Sequence, residues 1–248
     1  MVRKNVYYHH STADDNPFLP KGYIQRLDDI KTYDRSLWLV ARLGRFGITG
    51  LRVLPNFEVM DSNLVAQAAL AIPAKWHRIG MDFGFEESFN AVIKMAIDDE
   101  HKWLYIYKEY YKNKMTDDKT ALDLEVWDPG IKQQRIKADC AEPKAIAYYK
   151  QQGFDMVKCR KVAEKKSEGS RISNTRKMKR FARIICSSDC INTIKECKDL
   201  TYKKKNDGTL DYGHFEIDPH TFSAMWYGLD DYVVATPKER KSHSKRGR

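Results

Sequence analysis

The sequence predicts an α/β protein: a mixed β-sheet flanked by helices, preceded by a mostly helical linker segment. Three observations carry this expectation. From His77 onward, three segments rich in β-branched and aromatic residues follow one another with only short breaks. After them, helical and extended patterns alternate, as they do where parallel strands are joined by crossover helices. Finally, 42% hydrophobic against 31% charged residues is enough apolar content for one large domain in 248 residues.

Residues 1–75 read as a leader that is mostly not sheet. Gly22 to Lys31 and Ser36 to Leu43 space their apolar residues as helices do. Gly50 to Phe57 is a short extended piece, and Asn63 to Ile72 is a helix ended near Pro73. The first sheet strand runs through HRIGMD into a glycine-containing turn. Asn90 to Ile97 and Trp103 to Tyr111 are the next two, and the polar DDEHK between them suits a hairpin loop, which makes them antiparallel. Thr116 to Trp127 is a helix with Thr116 as N-cap and acids in its first turn.

Gln134 to Asp139 is a fourth strand, followed by a helix from Glu142 to Gln152 that Gly153 closes, and by a fifth strand at Phe154 to Val157. The basic segment Lys158 to Arg183 turns helical in its second half. A short apolar piece, Ile184-Ile185, precedes a helix from Ile191 to Leu200, and Lys203 to Gly208 forms a charged turn or hairpin. The last helix opens at Asp218-Pro219, with aspartate as N-cap and proline at N1, and extends to about Val234. The expected division is a linker over 1–75, a folded domain over 76–235 and a disordered basic tail over 236–248. The order of elements fits a ribonuclease-H-like sheet better than a doubly wound nucleotide-binding fold.

Composition narrows the function. Lysine and arginine number 44 against 34 acids, a formal charge of +10, which favours a polyanionic partner. No apolar run approaches the roughly 18 residues of a membrane span, and MVRKNVYYHH lacks the apolar stretch of a secretory signal. Five cysteines cannot all pair within one chain, and a reduced, intracellular location is the simpler reading. Cys186, Cys190 and Cys197 lack a CxxC and a histidine at ligand spacing, so buried or incidental thiols are expected there rather than zinc. No GxxxxGK[ST] occurs, so the sequence contains no phosphate-cradling loop of a nucleotide motor.

The candidate chemistry lies at strand ends. Asp82 closes the first sheet strand and Asp139 the fourth. If those strands are parallel neighbours, both carboxylates emerge at one rim, where open α/β sheets place their sites. Converging carboxylates offer the oxygen shell that Mg²⁺ or Mn²⁺ prefers. Taken singly, an aspartate at a strand end is more often a turn or cap residue.

GMDFGF around Asp82, KADCAEPKAI around Asp139 and DPHTFSAMWYG around His220 resemble the three nuclease motifs of the large terminase subunit of tailed bacteriophages. The likeness is to the branch typified by defective-prophage terminases of Gram-positive hosts, and it extends from about residue 5 to residue 234. HHSTADDNPFLPKGYIQRL and LGRFGITGLRVLPNF resemble the segment that joins the family's ATPase to its nuclease. The resemblance implies a ribonuclease-H-like nuclease that cuts concatemeric, double-stranded viral DNA during genome packaging in the host cytoplasm. Its partners would be an ATPase motor, on a separate chain or on a part missing from a fragment, with the terminase small subunit and the portal. By motif position, Asp82 and Asp139 would be metal ligands and His220 a neighbour of the metal, with two Mg²⁺ or Mn²⁺ ions expected. Another nuclease of the same fold, such as a resolvase, is the weaker alternative.

One departure matters. Where the family usually opens a D-A-x-R-Y run, this chain has Ser223-Ala224-Met225-Trp226-Tyr227, and a neutral hydroxyl is a poor replacement for a carboxylate. Asp218 is a candidate for the missing oxygen. Asp230 and Asp231 lie roughly 10 Å further along a helix rising 1.5 Å per residue, too far to help. Otherwise the first metal is held and the second only weakly, leaving a weakened enzyme or a DNA-binding and docking module. Glu142, in the family's A-E-P-K run, is as readily a helix-dipole acid as a catalytic one. Within the basic segment, KKSEGSRIS resembles the glycine-containing loop beside the family's active-site groove. Lys165, Lys166, Arg171 and Arg176 are the candidate phosphate contacts, with a solvated basic helix face as the alternative.

Overall fold

The computed structural model describes residues 10–31, 35–44, 52–84, 88–160, 170–205 and 209–234. Residues 1–50 and residues 51–248 form two separate units. In the first, α1 (Lys21–Ile30) and α2 (Arg35–Ala41) follow a single helical turn whose Thr12 and Asp15 cap each other. Arg42, just past α2, holds this piece together. Its guanidinium donates to both carboxylate oxygens of Asp14 at 2.7 and 2.8 Å and to Asp28 of α1 at 3.0 Å, a two-pronged geometry that a lysine could not reproduce.

The second unit contains a seven-stranded sheet. Its strands are β1 (Phe57–Met60), β2 (His77–Asp82), β3 (Phe89–Asp98), β4 (Trp103–Asn113), β5 (Ile136–Ala138), β6 (Met156–Lys158) and β7 (Arg183–Ser187), in the order β1-β7-β4-β3-β2-β5-β6. β2, β3 and β4 form an antiparallel meander, and every other pair is parallel. The β3–β4 hairpin turns where Asp98 accepts the backbone N–H groups of Glu100 and His101, and Lys102 takes φ +58°. This is the mixed sheet the sequence predicts. Helices α3 (Ser62–Ala71), α4 (Asp117–Trp127) and α5 (Pro143–Gln151) cover one face; α6 (Ser170–Lys179), α7 (Ile191–Asp199) and α8 (His220–Gly228) cover the other. The alternation of β3 decides this layering. Ala91, Ile93, Met95 and Ile97 pack with the residues of α7 and α8, while Val92 joins α4 and α5, and Ala96 joins α3. A strand buried on both faces reads as a continuous apolar run, which is why NAVIKMAI was recognisable.

Three expectations need correction. Ile184-Ile185 is not an isolated piece but the middle of β7, fully buried between β1 and β4. Residues 57–71, assigned by sequence to the linker, supply β1 and α3 to this sheet, and β1 pairs in parallel with β7, whose residues lie over 120 positions later. No local turn signal marks such a pairing. The last helix is shorter at both ends than the predicted Asp218–Val234, for reasons that belong to the site. A hairpin of β8 (Tyr202–Lys204) and β9 (Leu210–Phe215) brackets Asn206–Gly208, which lie outside the described residues, as does the tail.

α8 packs unusually close to β2 because both surfaces lack side chains at the contact. A Cβ added at Gly80 would lie 1.7 Å from the carbonyl oxygen of Ala224, and one at Gly228 would lie 2.7 Å from Cε of Met95. Only glycine at position 80 lets the helix backbone rest on the strand.

Candidate active site

β2 and β5 are parallel neighbours with Met81 opposite Ala138. Asp82 and Asp139, the next residues, therefore leave the sheet side by side at its C-terminal rim. Ile79, Met81, Ile136 and Ala138 enter the core under α4 and α5. Residues 78, 80 and 82 of β2, residue 137 of β5 and residue 139 just past it consequently present to the α8 face.

α8 meets both carboxylates. Nδ1 of His220 donates to Oδ2 of Asp82 at 3.1 Å, and the hydroxyl of Tyr227 donates to Oδ2 of Asp139 at 3.0 Å. The other oxygen of Asp139 accepts the backbone N–H of Ala141 at 3.0 Å. Ser223 is buried on the same helix, one turn from His220 and one turn from Tyr227. Burial pushes the Asp82 carboxyl above the ordinary range; His220 opposes that shift, and the charges of Asp139 and Asp218 reinforce it. The hydrogen bond to Asp82 raises His220, favouring its imidazolium form. Burial, and then the nearby Asp82 and Asp139 charges, push the Tyr227 phenol up, so it stays a neutral donor. A buried carboxylate set beside a second one is an arrangement that a divalent cation stabilises. The donor set therefore fits Mg²⁺ or Mn²⁺, with Asp82 and Asp139 as the residues able to hold it.

Two supports fix this geometry, and sequence reasoning found neither. Glu196 of α7, itself buried, accepts the backbone N–H groups of Thr221 and Phe222 at 3.1 and 2.7 Å and the Thr221 hydroxyl at 2.6 Å. It caps α8 from another helix, so Pro219 takes the N-cap position without a side-chain bond, and the predicted Asp218 cap does not form. Asn90 of β3 accepts the N–H of Gly84 at 3.0 Å, fixing the turn that follows Asp82. Tyr227 was visible in the motif but carried no predicted role; its spacing from His220 and Ser223 on one helix face was the available signal.

The remaining predicted residues separate clearly. Asp218 is exposed, and its charge reaches Asp82 and His220 without a direct bond to either. Asp230 and Asp231 are already engaged: Lys137 pairs with both, and Asp230, which lines the same cavity as Asp139, also accepts the N–H of Arg160 at 2.8 Å. That engagement, with Lys177 donating to the carbonyl of Leu229 at 2.9 Å, ends α8 at Gly228. Glu142 sits just before α5 rather than in its first turn, exposed, lining a separate cavity with Asp117. Arg171 lines a polar cavity of about 240 Å³ together with Arg160, Asn174, Asp139, Ser223 and Tyr227. Arg176 lies half-buried on α6. Lys165 and Lys166 lie outside the described residues. Cys186, Cys190 and Cys197 are buried.

A family model described as terminase RNAseH like domain matches residues 82–231, from the first rim aspartate to the acids after α8. This chain belongs to that terminase family. A second model, described as phage terminase large subunit, matches residues 2–45. The terminase chain is 54% identical over 239 residues to the PBSX phage terminase large subunit of Bacillus subtilis (strain 168), covering 96% of this chain and 54% of that one. It is 24% identical over 230 residues to the terminase large subunit of Bacillus phage SPP1, covering 91% and 52%. It thus spans about half the length of these curated relatives. Among solved structures it resembles the nuclease domain of the SPP1 large terminase with bound Mn, at a TM-score of 0.60 and 20% identity, over 71% of this chain and 96% of that one. It also resembles the large terminase of a thermophilic bacteriophage in complex with ATP-gamma-S, at a TM-score of 0.58 and 16% identity, over 90% and 55%. Both likenesses establish the shared fold. Among the described residues, no helix is long and apolar enough to cross a membrane.

Proposed function

We propose that this chain is the nuclease part of a terminase large subunit, a metal-dependent endonuclease that cuts concatemeric viral DNA during genome packaging. The observation that carries the reading is the meeting of Asp82 and Asp139 at one rim beneath His220 and Tyr227. The bound Mn of the SPP1 nuclease domain and the basic composition agree with it. Asp82 and Asp139 hold Mg²⁺ or Mn²⁺. Bound there, the cation supplies Lewis acidity at the phosphodiester and lowers the pKa of the attacking water. His220 orients the Asp82 carboxylate and offsets its burial; Tyr227 fixes one oxygen of Asp139. Arg160 and Arg171, beside Asp139 in the polar cavity, bind backbone phosphates without reading sequence, so affinity falls steeply with salt. Two ions are expected, the second weakened because Ser223 stands where a carboxylate belongs. The partners are double-stranded viral DNA, an ATPase motor, the small subunit and the portal, and the setting is the host cytoplasm.

The test is cleavage of plasmid DNA with Mn²⁺. Asp82→Asn should lower the rate by roughly a thousandfold, about 4 kcal/mol of activation free energy; cutting at an unchanged rate would sink the assignment. Ser223 also motivates a second reading, in which the domain keeps the fold as a DNA-binding and docking module with weakened catalysis. On that reading Ser223→Asp creates or greatly raises nuclease activity. A native chain that already cuts at rates ordinary for such nucleases disposes of it.

A further inference from the structure

Just beyond Asp139 the chain places two thiols that the proposed nuclease reaction does not use. β5 and β6 are parallel, with Ala138 opposite Lys158. The N–H of Cys159 donates to the carbonyl of Ala138 at 2.8 Å, carrying the ladder one residue past the strand and setting Cys159 beside Asp139. The turn closed by the Ala141 N–H on Asp139 brings Cys140 over the same point. A carboxylate oxygen of Asp139 and the sulfurs of Cys140 and Cys159 all lie within 4.8 Å of one another. Cys159 is buried and Cys140 half-buried.

We propose that Asp139, Cys140 and Cys159 form a binding site for a thiophilic divalent cation of the Zn²⁺ and Cd²⁺ class. Zn–S bonds of about 2.3 Å put donors about 3.8 Å apart at the tetrahedral angle. A donor triangle no wider than 4.8 Å is close to that spacing. Two sulfurs and one carboxylate oxygen select against Mg²⁺ and Mn²⁺, which prefer an all-oxygen shell. Both thiols release their protons to solvent on coordination, and the fourth position stays open to water. Because Asp139 belongs to both donor sets, occupation by Zn²⁺ withdraws it from the hard-ion site. That consequence rests on the proposed function; the binding itself does not.

The test uses the full chain, kept reduced with a phosphine, and reads binding rather than cleavage. One equivalent of Cd²⁺ should produce ultraviolet thiolate-to-metal charge-transfer absorption, and Zn²⁺ should displace the Cd²⁺. In the Cys140→Ser/Cys159→Ser double variant the band disappears and Zn²⁺ affinity drops by roughly a hundredfold. Cys140→Ser alone, at the less buried position, loses about half the band, which covers the case where the double variant misfolds. The three other cysteines of the five remain in every variant as an internal control. Asp82→Asn should leave the band intact, separating this site from the fate of the nuclease assignment. No band in the native chain at stoichiometric Cd²⁺, or a full band in a folded double variant, overturns the proposal.

Discussion

The same two strands carry cations along their length and acids at their C-terminal rim, and the chain at and after α8 answers each differently. Arg78 near the start of β2 and Lys137 in the middle of β5 pair with Asp230 and Asp231 just after α8. At their C-terminal ends they carry Asp82 and Asp139, which α8 meets with an imidazole and a phenol. In the first pair each acid faces a lysine or arginine cation. In the second, His220 offsets the charge of Asp82 while Tyr227 stays a neutral donor to Asp139, so the two carboxylates together keep net negative charge for an incoming cation. The acids after α8 are each paired with a cation, whereas the rim carboxylates share one imidazole and one phenol, which orient them and leave net negative charge.

Removing the cation at the structural end and the acid at the rim should therefore act with opposite sign. The largest expected effect is at the structural end. Lys137→Met leaves Asp230, whose side chain is 6% exposed, without its cation, and should destabilise the fold by about 4 kcal/mol. A urea unfolding midpoint unchanged from the native chain would break the comparison. Next comes the contact that lets one helix serve both ends. Gly80→Ala drives a methyl group into the Ala224 carbonyl and should cost about 3 kcal/mol in the same measurement. The damage should extend to both carboxylate pairs, because α8 must lift from β2.

How much of this was readable in the sequence follows from how local each signal is. β3 and β4 were recognisable because a doubly buried strand and its hairpin loop are contiguous in the chain. β1 and β7 were not: RIICS is too short to stand out, and its parallel partner FEVM lies over 120 residues away. At the site, Asp82 and Asp139 were found because strand ends and motif matches coincide. The helix carrying His220 was placed, yet its start was misjudged. Asp218-Pro219 has the composition of a cap, but Glu196 reaches in from α7, 25 residues away, and takes the N–H groups first. The Lys137–Asp230 pair spans 93 residues and leaves no periodic trace. In each case the deciding partner lies far along the chain, and at the start of α8 it overrides a local preference.

At the ligand end the expected sign reverses. Without divalent cation, Asp82→Asn should be neutral or stabilise the fold by about 1 kcal/mol, because burial disfavours the charged carboxylate that the amide replaces. Saturating Mn²⁺ should raise the urea midpoint of the native chain and leave that of Asp82→Asn unchanged. The smallest effect sharpens the contrast through pH. His220 has its pKa raised in the fold from 6.5 by the hydrogen bond to Asp82, so above pH 6.5 the folded chain retains a proton that the unfolded chain has lost. Stability from this group is complete below the unfolded value and fades as pH rises through the folded one. The metal-free native chain should accordingly lose stability over that interval, and His220→Asn should remove the decline. Lys137→Met should lower the whole curve and leave the His220-dependent decline in place. A slope that survives His220→Asn would mean that some other group carries the proton, and that the imidazole at the rim is not the titrating partner of Asp82.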